Sequence, residues 1–318
     1  MFNLILKMLI HGFMFSRGLL KGAQITTYDD GNLLEDVMLS VTNISPEDRP
    51  FMESIGRKKA TQPAHQWPED KLAARASAAT QEGATITAGT SSAPTRRTNY
   101  TEYMTKAWQV TNTEIASKGA GVDDMFMYQR SKKMKELING IEYDLINSTV
   151  SAGLTTATRT MSGMLAFITS NTSSATTTSM TETMFVNLFQ LAWVSGGNPR
   201  KVFLNATLKN AVTKFASLSG TMQKQISAEK LTTINAVDFY VNDFSGRAEI
   251  MISRDMPSAT NNYQVAVLDE SLFSTAYLIP IRDAEVGQTT FGKVGALECE
   301  ATLECRAEGG CAKGTFAG

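Results

Sequence analysis

Between residues 57 and 118 the hydrophobic periodicity that marks helices and half-buried strands largely fails, and small, polar and alternating residues take over. A structureless connection of that length does not belong inside a compact domain. The stretch fits a protruding two-stranded excursion better, with one strand near residues 64–72 and a returning strand near residues 99–110. There Tyr100, Tyr103, Trp108 and Val110 supply strand-forming side chains. A two-stranded hairpin on its own is marginal in water. The excursion is therefore expected to need a second copy of the chain to hold it.

The flanking segments are more regular. Asn32 followed by Glu35 forms a capping-box pattern ahead of Leu34, Val37, Met38 and Val41 at helical spacing. Pro46 and Pro50 then punctuate the chain, and Pro50 biases Arg49 toward an extended conformation before Phe51. Beyond the excursion, Met127, Ser131, Met134, Ile138, Ile141 and Leu145 predict one long helix over residues 123–145. Asp123 and Asp124 suit its positive end, and Lys132 with Glu136 forms an i,i+4 pair. At 1.5 Å per residue such a helix is a rod of roughly 35 Å. Gly140 within it points to a close contact or bend.

Residues 147–181 are rich in Ser and Thr and read as a surface connection around one buried island at residues 161–168. The Asn171-Thr172-Ser173 sequon there carries no functional weight. A compact α/β segment follows: a helix over 182–194 stopped by Gly196 and Gly197, a strand over 201–204, and a helix capped by Asn205 that buries Leu208, Val212 and Phe215. Strands are predicted over 237–241, 248–252 and 263–268, then an apolar patch ending at Pro280, and a closing pair near 286–291 and 296–303. No internal repeat covers the chain.

Composition limits what such a chain does. Thirty basic residues nearly cancel thirty-one acidic ones in 318 residues, so no positive excess exists to neutralise a phosphate backbone. The cluster from Arg130 to Lys133 reads as the wet side of the long helix. Only 19% of residues are charged, below the roughly 25% usual for soluble domains, which lowers the cost of covering the surface with neighbouring copies. Lys7, His11 and Arg17 interrupt the apolar first twenty residues, which read neither as a membrane span nor as a secretory leader. An amphipathic arm, or upstream sequence ahead of a start at Met14, fits them.

Catalytic chemistry finds little support. Cys299, Cys305 and Cys311 are spaced by six with no histidine nearby, which is no zinc pattern; they read as reduced thiols, with an intersubunit disulfide or metal site as alternatives. His11 and His65 lack a nucleophile motif, and His65 reads as structural or solvated. The pairs Asp123-Asp124, Asp269-Glu270 and Glu298 with Glu300 default to helix ends and strand surfaces. A carboxylate-dependent hydrolase would require Glu298 and Glu300 to converge with Asp269. No catalytic residue, metal ligand or cofactor is expected.

The residues from Ile25 onward resemble the major head proteins of tailed bacteriophages, of the podovirus type. The resemblance rests on a Ser-Pro-x-Asp-x-Pro-Phe element at Ser45, Pro46, Asp48, Pro50 and Phe51, and a Trp-x-x-Asp element at Trp67 and Asp70. The long helix, Gly163 to Ile168, Gly197-Asn198-Pro199 before a strand, Tyr240 to Gly246 and Leu268-Asp269 agree in order. Val286-Gly287-Gln288 departs from a Gly-Asp element usual there and leaves the register of the last strands open. The resemblance implies an α+β Johnson fold: an N-terminal arm region at 1–56, an extended loop at 57–118, and a peripheral domain with a spine helix at 119–181. The axial domain would lie mainly in 182–281, with closing strands at 282–318. It further implies a major capsid protein that self-assembles as pentamers and hexamers into an icosahedral head around double-stranded DNA. Portal, and scaffold or decoration proteins, would be partners, with no membrane, and assembly would occur in the host bacterial cytoplasm. Candidate assembly contacts are Phe51, Trp67, Asp70, Tyr100 and Tyr103, with burial in the chain's own core as the alternative for Phe51 and Trp67. Other shell, nanocompartment or tail proteins are the remaining structural alternatives.

Overall fold

The computed structural model describes residues 45–85, 89, 91, 93–117, 122–154, 157–218, 238–287 and 291–317. The capping box at Asn32, the first twenty residues and His11 lie outside the described residues. Before and within the excursion the elements are α1 (Pro50–Ser54), β1 (Gly56–Lys59), β2 (Ala64–Glu69), β3 (Thr95–Tyr100), β4 (Glu102–Thr111) and α2 (Asn112–Ala116). The long helix α3 (Met125–Asn147), the short α4 (Met164–Phe167), β5 (Thr172–Ser179), α5 (Glu182–Val194), β6 (Lys201–Leu204) and α6 (Ala206–Leu218) follow. The remaining strands are β7 (Phe239–Asn242), β8 (Gly246–Ile252), β9 (Ser258–Ala259), β10 (Asn262–Leu268), β11 (Phe273–Ala284), β12 (Gly292–Cys305) and β13 (Ala312–Ala317).

Among the described residues these strands form three sheets: four strands in the order β1-β11-β12-β4, seven built on β5-β13-β10-β6-β8-β7 with β9 beside β10, and the pair β2-β3. The seven-stranded sheet is a wall between two hydrophobic cores, because side chains alternate along a strand. Val202, Leu204, Val265 and Val267 point into a core under α5 and α6, while Phe203, Ala266 and Leu268 point into the core shared with α3 and the four-stranded sheet. Strands covered on both faces read as continuous apolar runs, as β6 and β10 do.

Asp124 caps α3, its carboxylate accepting from the backbone N–H of Phe126 and Met127 at 2.9 and 3.1 Å. The buried stripe is Phe126, Leu137, Ile141, Leu145 and Ile146. It matches the expected stripe at Ile141 and Leu145 but is rotated in the first half, where Met127 and Met134 face outward. Polar residues at 129–133 left two stripes open to the sequence pattern, and the aromatic contact of Phe126 with Trp108 at 5.4 Å selects the other. The charge pair formed is Lys133 with Glu136 at 2.7 Å, not Lys132 with Glu136. Gly140 makes no close contact: a Cβ there would meet open space.

Three further expectations are corrected. The Ser/Thr-rich run contains the buried island as read, with Met161, Met164 and Ile168 fully covered, but Thr172–Ser179 is an edge strand parallel to β13. The apolar patch ending at Pro280 is part of the 12-residue strand β11. The closing pair is β11 with β12, from Phe273 opposite Cys305 to Ala284 opposite Ala296; Val286 and Gly287 lie between them in no strand. The helix 182–194, the strand 201–204 and the Asn205 cap, with the Leu208 N–H donating to Asn205 Oδ1 at 2.9 Å, stand as predicted.

Candidate assembly surface

Phe51 sits at the meeting point of the elements. Its ring is fully buried, edge-on to Phe203 at 5.4 Å and to Phe273 at 5.8 Å. Pro50 starts α1 and Arg49 provides no side-chain cap; the cap comes from the spine helix instead. Glu142, itself fully buried, accepts from the N–H of Phe51 and Met52 at 2.9 and 2.7 Å. Burial pushes this carboxyl up to about 7 despite those two bonds. Asp144 is raised to about 6, first by burial and then by the charge of Glu102.

The excursion begins as expected and returns differently. β2 pairs antiparallel with β3 from Ala64 opposite Tyr100 to Glu69 opposite Thr95, while the residues after Thr101 leave the hairpin as β4 and join β12. The single returning strand expected near 99–110 is therefore two strands broken at Thr101, where the N–H donates to Pro63 O at 2.8 Å and the buried hydroxyl to Glu300 at 2.6 Å.

Carboxylates tie the hairpin base to its own chain. Glu300 also takes Arg159, which in turn donates to Thr101 O at 2.6 Å. Glu304 accepts from Lys58 at 2.7 Å and Arg306 at 3.1 Å, and contacts His65 Nε2 at 3.2 Å. Burial alone would raise Glu304, yet the Lys58, His65 and Arg306 contacts hold it below the usual range. Asn99 donates to Ser162 O and Leu303 O at 3.2 and 2.7 Å, and Arg97 binds Glu69 at 2.6 Å. Trp67 is 6% exposed and lies against Phe167 and His65, ring centroids 6.1 and 5.7 Å away.

The five candidate contacts thus separate. Phe51 and Trp67 take up the intrachain burial that the sequence left as an alternative. Tyr100 is half-buried, and Asp70 and Tyr103 are exposed. The Tyr103 hydroxyl donates to Glu298 at 2.6 Å, which raises its own pKa; with Arg282, it holds Glu298 below the carboxylate range. Past Glu69, residues 70–85 are all exposed, with Leu72 fully so.

Hydrolase geometry does not form. Glu298 serves Tyr103 and Arg282, Glu300 serves Thr101 and Arg159, and Asp269 caps the turn Glu270–Leu272. Asp269 precedes Phe273, which pairs with Cys305, five residues along β12 from Glu300. Among the described residues no group of His, Cys, Asp or Glu is arranged to hold a metal, and no helix is long and apolar enough to cross a membrane. All three cysteines are buried and unpaired; burial pushes Cys299 and Cys311 up to about 12, so they are poor nucleophiles. Sequence reasoning missed Glu142, because nothing in its own neighbourhood distinguishes it from a surface residue; only the approach of α1 reveals its role.

The family model described as SU10 major capsid protein matches residues 22–317. No curated protein matches the chain by sequence. Among solved structures, the capsid of a native GTA particle matches with TM-score 0.67 at 11% identity, covering 92% of this chain and 98% of the other. A structure from Gordonia phage Cozz matches at 0.61 and 12% identity, covering 90% and 92%. The SrpI encapsulin of Synechococcus elongatus matches at 0.57 and 11%, covering 87% and 91%. At such identities these likenesses show the fold alone.

Proposed function

Because the chain belongs to the SU10 major capsid protein family, we propose that its copies close, as pentamers and hexamers, into an icosahedral head that encloses phage double-stranded DNA. The protein is a major capsid protein, a structural component of the virion shell. Assembly takes place in the host bacterial cytoplasm, with a portal at one vertex and scaffold or decoration proteins as further partners. DNA contacts the inner surface by proximity, without a dedicated basic site.

The observation that carries this reading beyond the family is the bare tip of the excursion. A run of exposed backbone is costly to order unless a neighbour covers it, and repetition by closed symmetry lets moderate contacts hold a shell. Strand membership refines the division into parts. The four-stranded sheet with α3 is the peripheral domain, and the seven-stranded sheet with α5 and α6 is the axial domain. This moves β5 and β13 into the axial part and β11 into the peripheral part. It also takes β1 and β4 into the peripheral part, so the extended loop narrows to residues 60–101, and residues up to 55 remain the arm region. Asp70, Tyr100 and Tyr103 touch neighbouring copies directly, whereas Phe51 and Trp67 act by fixing the arm and loop from inside.

Electron microscopy of the product assembled in bacteria, with an intact-mass measurement of its subunit, tests the reading. Closed icosahedral particles are expected. A chain that stays monomeric at high concentration, with residues 70–94 ordered against its own core, would sink it.

A further inference from the structure

The segment ahead of β1 lies across the spine helix as a strap. Along one face of α3, at spacings of four and three residues, Lys135 binds Glu47 at 2.7 Å, Asn139 donates to Pro46 O at 3.0 Å, and Glu142 accepts from the N–H of Phe51 and Met52. Beside them Arg254 stands 3.6 Å from Asp48. Downstream the chain is fixed differently: β1 pairs with β11 from Gly56 opposite Ser274, and the Ala60 N–H donates to Tyr277 O at 2.9 Å. Residues 46–55 are therefore a unit of their own, held to the spine helix at one end and to the sheet through β1 at the other.

The ties differ in kind. Lys135 with Glu47 and Arg254 with Asp48 are exposed pairs, worth little in water. Glu142 is fully buried, and its two oxygens take first-turn N–H groups for which Arg49 provides no cap. Glu53 of α1 and Asp255 of the segment after β8 act on it with like charge. Arg254, next to Asp255, is engaged with Asp48, Arg49 opens onto a groove shared with Arg57, and Asp144 on α3 itself responds to Glu102 and Lys106. The two N–H bonds favour the charged carboxylate, whereas burial and the like charges oppose it; burial is the largest influence, and the latched group titrates at about 7. Lifted into water, it returns to the ordinary 4.5.

We propose that residues 46–55 are a strap latched to the spine helix by Glu142, and that loss of the proton from this carboxyl favours release of the strap while the rest of the subunit stays folded. The latched state holds the proton more tightly than the open one, so latching is strongest below 4.5 and weakens as pH rises through about 7. Release is a local opening of the kind that precedes global unfolding, and it uncovers Phe51, Met52 and Ile55. The strap is the last part of the arm region before β1, so the latch decides whether that region starts from the spine helix or swings from the sheet. The inference concerns the single subunit, and failure of the shell reading leaves it standing.

Amide hydrogen exchange of the full-length, dissociated subunit tests the latch, with rates corrected for the intrinsic effect of pH. Protection over residues 51–55 is expected to lie below that of residues 297–303 in β12 at every pH, and to fall roughly tenfold or more between pH 5.5 and pH 8. In Glu142→Gln the fall with pH is expected to vanish from the strap. Should that variant not fold, Glu53→Gln and Asp255→Asn each remove a like charge while leaving the latch in place, and each is expected to move the fall to lower pH. Protection of the strap that equals that of β12 throughout means that α1 opens only with the whole subunit, and overturns the latch. So does strap exchange that is independent of pH in the unsubstituted chain, a fall that persists in Glu142→Gln, or a fall that neither charge removal moves.

Discussion

Residues 64–69 and 95–101 are held by Glu69, Glu300, Glu304 and Asn99, and by a tryptophan that is 6% exposed. Residues 70–85 of the same excursion are all exposed, and the hydrogen bonds described for them run within three residues along the chain. Both parts are polar, and composition does not tell them apart. The difference is that Thr101, Asn99 and His65 at the base meet partners on β12, whereas the tip is exposed along its length. The base of the excursion is thus a built part of the subunit, and the tip is the part that the proposed shell contacts would cover.

The largest way to break that contrast is Trp67→Ala. Truncating a buried aromatic costs about 3–5 kcal/mol, expected here as faster proteolysis of the hairpin base and a reduced yield of assembled particles, with the cores still giving a cooperative unfolding transition. If shell yield by sedimentation is unchanged, the base is not what aims the tip.

Glu142 bears on α1, which it anchors to the spine helix. Its folded pKa of about 7 lies above the ordinary value of 4.5, so the folded state holds the proton more tightly. Stability is greatest below the unfolded pKa and is lost as pH rises toward and through about 7, by up to about 3 kcal/mol. Asp144, raised to about 6, has the same sign. Denaturant titrations of the dissociated subunit are expected to show lower stability at pH 8 than at pH 5, with a shallower slope in Glu142→Gln. An equal slope in that variant would assign the pH dependence elsewhere.

Gly140→Ala gives a smaller effect of opposite direction. With open space for the methyl group, the helix gains about 1 kcal/mol, seen as a higher subunit melting temperature. A variant that is stabilised yet fails to assemble would locate a neighbour's close approach at that point of α3. Smallest of all is Leu72→Ser, expected to change subunit stability by less than about 0.5 kcal/mol while lowering the assembled fraction. A marked loss of subunit stability would place Leu72 in an intrachain contact and erase the distinction between tip and base.

Local patterns carried the elements whose signals are self-contained. The α5 helix ends where Gly196 and Gly197 stop it, Asn205 caps the next helix, and the strand between them keeps its predicted bounds, because caps and periodicity act within a few residues. Strand β5 escaped because Ser and Thr carry no apolar alternation, and its pairing with the distant β13 is what makes it a strand. Of the candidate contacts, the sequence picked out the aromatic and acidic residues of the loop but left open which faced inward.

The order of elements, the long spine helix, the polar excursion and the capsid family were determined by the sequence alone, since each depends on spacing or motif. The sharing of strands between the two sheets, the rotation of the spine's buried stripe, the capping of α1 by Glu142 and the fate of each loop residue were decided only by the tertiary structure. Those depend on contacts between residues far apart in the chain, as when Phe51 meets Glu142 across 91 positions, and such contacts leave no mark on local periodicity.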